Sequence, residues 1–119
     1  MLKIKIDGKE VALVARQPLR EGAQVVVQGV KLMMPPPLYS LQLSFLQLEK
    51  IRASGDGDPE ALARGELDGY VTTLRRNYPD LPDAWVGEWD TADIWRLRLA
   101  YAKASQPPAE EGLGEGESR

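Results

Sequence analysis

The chain contains no cysteine and no histidine. A disulfide, a Cys/His zinc site, a catalytic Cys-His pair and a Ser-His-Asp triad are therefore all excluded. No apolar run approaches the roughly 18–20 residues that cross a bilayer as a helix, so no membrane-spanning helix is expected. The opening residues Met1 to Gly8 are charged from Lys3 onward and hold no uninterrupted apolar stretch, which argues against a secretory signal. The expected compartment is a reducing cytoplasm. Phenylalanine is scarce too, with one in 119 residues. A chain of that length hides about two thirds of its unfolded surface, enough for a modest core in one small domain.

Charge is nearly balanced but unevenly placed. Residues 1–31 carry six Lys/Arg against three Asp/Glu, residues 32–106 eight against eleven, and residues 107–119 one against four. The basic excess at the start is small and falls on alternating segments, where it reads as the wet side of strands.

Ile4, Ile6 and the stretch Val11 to Val14 flank Asp7-Gly8, so residues 2–14 predict a hairpin with Lys3 and Lys5 on its outer face. Val25-Val26-Val27, Gln28-Gly29 and Val30 to Met34 predict a second. The four strands are expected to form one small antiparallel sheet, with Arg16 to Gly22 as its longer connection. Pro35-Pro36-Pro37 removes three backbone donors and ends it.

Helices follow. Leu38, Leu41, Phe45 and Leu48 share one face of a helix over residues 38–50. Alternation at Leu41, Leu43 and Phe45 offers a strand reading, but the absence of β-branched residues and the length of the run favour helix. After the break at Ser54 to Gly57, Asp58 is an N-cap and Pro59 sits at N1. Ala63, Leu67, Tyr70, Val71, Leu74 and Tyr78 form the next apolar stripe, and Asn77-Tyr78-Pro79 stops it. A short helix is expected to carry Trp85 and Trp89, started by an acidic cap in Asp80 to Asp83. Asp90 caps the last helix with Asp93 at N3, running to Ala104. That helix has two stripes: Ile94, Leu97, Tyr101 and Ala104 on one, Trp95 and Leu99 on the other.

The expected fold class is thus α+β, a small N-terminal antiparallel β-sheet of hairpins followed by a three- to four-helix C-terminal bundle. Residues 1–105 form the domain, with the β part at 1–34 and the helical part at 38–105. Residues 106–119, rich in Glu and Gly with Leu113 as their one large apolar residue, are expected to be a disordered acidic tail.

Catalytic chemistry finds little footing. Asp80, Asp83, Glu88, Asp90 and Asp93 cluster in sequence, but nothing in their spacing requires two carboxylates to converge, and two of them already serve as caps. Gly55, Gly57 and Gly65 lack the spacing and the Lys-Ser/Thr of a phosphate-binding loop. No catalytic, cofactor-binding or metal-binding residue is expected, and the chain does not read as an enzyme. Arg75-Arg76 beside Tyr78, and Arg96 and Arg98 beside Trp95, could contact nucleic acid. Residues 61–104 nevertheless hold six Lys/Arg against seven Asp/Glu, which makes this the weaker alternative.

Three Trp residues between positions 85 and 95 concentrate large apolar surface in the C-terminal helices. Two segments in the same chain resemble the tail assembly chaperones of long-tailed bacteriophages and prophages. Gly29-Val30-Lys31-Leu32-Met33-Met34-Pro35-Pro36-Pro37-Leu38 is similar to the family's strand running into a Pro-Pro-Leu helix start. Val71 to Leu81, containing Leu74-Arg75-Arg76-Asn77-Tyr78-Pro79-Asp80, is similar to its second segment, and the likeness covers about residues 25–105. The N-terminal hairpin and the Arg16 to Gly22 connection are longer than the family's compact start, which leaves a small baseplate or head-completion protein as an alternative.

The resemblance implies a noncatalytic protein of virion morphogenesis in the host cell cytoplasm. Its partners would be the tape measure protein, whose long apolar helices it keeps soluble, and further the tail tube protein; several copies, as a homo-oligomer, could coat one partner. The expected partner interface is Leu38, Phe45, Tyr78, Trp85, Trp89, Trp95 and Leu99, with Arg75 and Arg76 orienting acidic partner segments.

Overall fold

A computed structural model describes residues 2–106. The expected acidic tail, beyond Gln106, lies outside the described residues. The first hairpin pairs β1 (Leu2–Ile6) with β2 (Lys9–Leu13), and the second pairs β3 (Ala23–Val27) with β4 (Val30–Met34). Both turns have two residues, and both residues have positive φ: 52° and 76° at Asp7-Gly8, 51° and 76° at Gln28-Gly29. This is the primed turn whose twist matches that of antiparallel strands, and glycine at its second position adopts it without a Cβ penalty.

The strands are antiparallel, but they make two separate two-stranded ladders instead of one four-stranded sheet. The reason lies on β4. In a two-residue hairpin Val27 and Val30 exchange hydrogen bonds, so the N–H and C=O of Met33 point outward, where another strand would pair. Both are already occupied: the Met33 N–H donates to the Tyr78 hydroxyl at 2.9 Å, and Asn77 Nδ2 donates to the Met33 carbonyl at 3.0 Å.

Four helices follow: α1 (Tyr39–Ser54), α2 (Pro59–Leu74), α3 (Asp83–Val86) and α4 (Thr91–Ala104). Helix α1 runs a turn beyond the expected Lys50 and ends where Gly55 takes a left-handed C-cap at φ 76°. Asp58 caps α2 by accepting from the Ala61 N–H at 3.2 Å, with Pro59 in the first turn. Asp90 and Asp93 form a reciprocal capping box on α4. Helix α3 is shorter than expected and leaves Trp89 in the following turn. Its cap is Pro82, which has no side-chain acceptor, and not an aspartate.

One core joins these elements. Ile4 and Leu13 from the first hairpin, Val25, Val27, Leu32 and Met34 from the second, Tyr70 and Leu74 from α2, Tyr78, Leu81 and Trp85, and Leu97 and Ala100 from α4 form a single buried cluster. On α2 the inward side takes Leu62 as well as Tyr70, Val71 and Leu74, whereas the expected Ala63 is exposed and Leu67 only half-buried. Helix α1 stands apart because none of its residues is buried. It rests on α2 at Gly69, where an added Cβ would run into the Phe45 ring, so the close approach requires glycine.

Candidate functional site

Helix α1 is apolar on two sides but, among the described residues, has packing partners for only one. Leu41, Phe45 and Leu48 turn toward α2 and are half-buried. The Phe45 ring meets Tyr101 of α4 edge-on at 4.7 Å between centroids and Tyr70 of α2 at 5.7 Å. Tyr39, Leu43, Leu46 and Lys50, spaced four, three and four, make the opposite stripe. Tyr39 is 72%, Leu43 45% and Leu46 59% exposed. Sequence reasoning missed this stripe. Its signal is a second set of apolar residues at helical spacing, Tyr39, Leu43 and Leu46, opposite the first.

Helix α4 repeats the arrangement. Leu97, Ala100 and Ala104 face the second hairpin and are buried, while Trp95 and Leu99 on the outer stripe are 59% and 65% exposed. Leu99 borders a shallow groove with Val26 of β3, also exposed, and with Arg96 and Lys103. The Arg98 guanidinium lies 4.8 Å from the centroid of the Trp95 ring and steadies the indole in its exposed position. Arg98 also donates to Glu66 of α2 at 2.7 and 3.1 Å. Although burial pushes the Glu66 carboxyl up, hydrogen bonds from Arg98 and Tyr70 and the Arg98 and Arg52 charges together hold it below the usual carboxylate range. This ion-pair network anchors α4 to α2 beside the exposed Trp95.

The other expected interface residues divide sharply. Leu38 is the N-cap of α1 and half exposed, and Phe45 is the half-buried wedge just described. Tyr78 and Trp85 are not surface residues: they are 2% and 1% exposed and belong to the core. Tyr78 turns inward because its hydroxyl binds the β4 backbone, and Trp85 because α3 folds back onto the first hairpin. Trp89 is half-buried with its ring edge-on to Trp85 at 5.4 Å. Arg75 is turned to its own chain, donating to the Leu81 carbonyl at 2.7 Å and the Asp83 carboxylate at 2.8 Å. Arg76 donates to the Pro36 carbonyl.

Asn77 is expected from the sequence only as a helix stop, yet it is fully buried and its side chain makes three hydrogen bonds to distant segments. Its Oδ1 accepts from the Arg20 N–H at 2.9 Å, and its Nδ2 donates to the carbonyls of Arg20 at 2.9 Å and Met33 at 3.0 Å. Its own carbonyl accepts from the Arg16 N–H at 2.7 Å. The end of α2 thereby holds both the connection between the hairpins and β4.

Among the described residues no group of three or more His, Cys, Asp or Glu is arranged to hold a metal ion, and no helix is long and apolar enough to cross a membrane. No family model, curated protein or solved structure matches the chain.

Proposed function

We propose that this chain is a noncatalytic assembly chaperone of the phage-tail type, acting in the host cytoplasm by covering apolar helices of a tape measure protein until tail tube subunits enclose it. The observation that carries this reading is a pair of unpartnered helix faces, Tyr39/Leu43/Leu46 on α1 and Trp95/Leu99 on α4, on a domain that has otherwise closed its core. A partner helix with its own apolar stripe suits both. Fully burying one large apolar side chain is worth about 1.5–3 kcal/mol. Five side chains with about half their surface still to bury would gain roughly 4–8 kcal/mol, comparable with the entropy cost of association at about 4–15 kcal/mol. The surplus is at most about 4 kcal/mol, a dissociation constant near 1 mM, so association through these faces is weak and reversible, as a chaperone that must later release its client requires.

The test pairs two double variants, Leu43→Ser with Leu46→Ser and Trp95→Ser with Leu99→Ser, with pull-down of co-expressed tape measure segments. The far-ultraviolet circular dichroism of both should match the unaltered chain, because exposed positions outside the core change stability by only about 0.5 kcal/mol. Capture should fall about tenfold or more in at least one. Folded variants that retain full capture would remove both faces from the function, and an unaltered chain that enriches no tape measure segment would remove the reading itself.

A further inference from the structure

Three guanidiniums converge where the connection between the hairpins meets the end of α2. Arg16 donates to the Pro18 carbonyl at 2.8 Å, Arg20 to the Arg76 carbonyl at 3.0 Å, and Arg76 to the Pro36 carbonyl. Each guanidinium has five N–H donors and spends one on these bonds. Among the described residues none of the three is paired with a carboxylate, although Lys3, Arg52, Arg64, Arg75, Arg96 and Arg98 all are. Partial burial, then the charges of Arg20 and Arg16, lower the pKa of Arg76, as expected of cations gathered without a counter-charge.

We infer that this arginine cluster is the docking site for the acidic segment of the same chain, Glu110 to Glu117. Charge complementarity selects that occupant. Residues 107–119 hold four glutamates against one arginine and supply a run of carboxylates to three guanidiniums borne by different segments. Residues 2–106 of a second copy hold 14 Lys/Arg against 14 Asp/Glu and lack the acidic excess of this segment.

Reach permits the docking. Helix α4 ends beside the start of β3: Lys103 and Gln24 border one groove, and Ala104 and Ala23 lie in one buried core. Gln24 is four residues from Arg20, at most about 14 Å away, whereas residues 107–117 can extend about 36–40 Å. Lys103, in the last turn of α4, adds a cation along the path. Tethering supplies the acidic segment at a millimolar effective concentration, so individually weak ion pairs suffice to keep the arginines covered. The assignment is independent of the chaperone reading, and its test uses the chain alone.

The experiment compares the full chain with a full-length variant carrying Glu110→Gln, Glu111→Gln, Glu115→Gln and Glu117→Gln. Amide resonances of Arg16, Arg20 and Arg76 should differ between the two at 20 mM NaCl, and the difference should collapse at 500 mM NaCl, where charges are screened within about 4–5 Å. A fluorescein-labelled oligoglutamate peptide should bind the variant at least threefold more tightly than the unaltered chain, and Arg20→Gln in the variant should abolish that gain. Identical arginine resonances, or equal peptide affinity, would overturn the assignment. So would a difference that fades on twentyfold dilution, since the acidic segment would then be docking on a second copy. A labelled oligonucleotide that binds both forms equally at 20 mM NaCl would show the arginines open to nucleic acid, and would overturn it as well.

Discussion

Replacing Asn77 by alanine removes a polar hub from the interior while leaving every apolar contact of the core in place. The three side-chain bonds it makes, two at 2.9 Å and one at 3.0 Å, join α2 to the hairpin connection and to β4. A neutral intramolecular hydrogen bond contributes about 0.5–1.5 kcal/mol net, so their loss amounts to about 1.5–4.5 kcal/mol, with a central value near 3. The upper half of that range applies where the stranded Arg20 and Met33 groups stay dry, because an unmade bond then costs the whole desolvation of its partner. For a domain of this size about 3 kcal/mol corresponds to a fall in Tm of roughly 12–18 °C, or about 2 M in the urea midpoint at a slope near 1.5 kcal/mol/M. Thermal and urea unfolding followed by circular dichroism read both. Asn77→Asp keeps size and shape and removes only the donors: the carboxylate still accepts from the Arg20 N–H but turns lone pairs toward two carbonyls. Its folded pKa would stand above the unfolded value of about 3.9, so this variant's stability should fall as pH rises through that interval. A loss below about 0.5 kcal/mol in Asn77→Ala, with midpoints unchanged, would refute the claim that this residue holds hairpins and helices together.

Glu66→Gln should flatten the acid limb of stability. The Glu66 carboxyl is held below its ordinary range in the folded state, so its contribution is complete above the unfolded value near 4.3 and is lost as pH falls through the folded value. The Tm difference between the unaltered chain and the variant should accordingly be largest near pH 7 and shrink below pH 4; a constant difference across that range would exclude the ionised carboxylate as its source. Gly69→Ala should cost about 1–3 kcal/mol by driving a methyl group into the Phe45 ring. Combining it with Phe45→Ala should cost clearly less than the two separate losses, and strict additivity would show that the ring is not what limits the approach of α1 to α2.

The legible parts of the fold were those set within a few residues. Asp7-Gly8 and Gln28-Gly29 specify turns because positive φ at two successive positions is a local requirement that few residue pairs meet. Asp58 and Asp90 marked helix starts because a cap bonds an N–H only three residues away. The double stripe on α4 was equally visible: Leu97 and Ala104 went inward, with Ile94 and Tyr101 half-buried, while Trp95 and Leu99 stayed out. The candidate site was less legible. Trp85 and Trp95 carry the same side chain, and no local pattern says that one is 1% exposed and the other 59%.

Turns, caps and helical stripes were determined by the sequence itself, since each depends on backbone and side-chain groups within one turn of the chain. Tertiary structure alone decided which stripe became core, that β4 would offer its outer edge to Asn77 and Tyr78 instead of a third strand, and that Arg16, Arg20 and Arg76 would meet. These outcomes join groups 44 or more residues apart at Met33–Asn77, Met33–Tyr78 and Arg20–Arg76. An apolar face or an open donor is a local property, but its burial or pairing is settled only by the surface that folding brings against it.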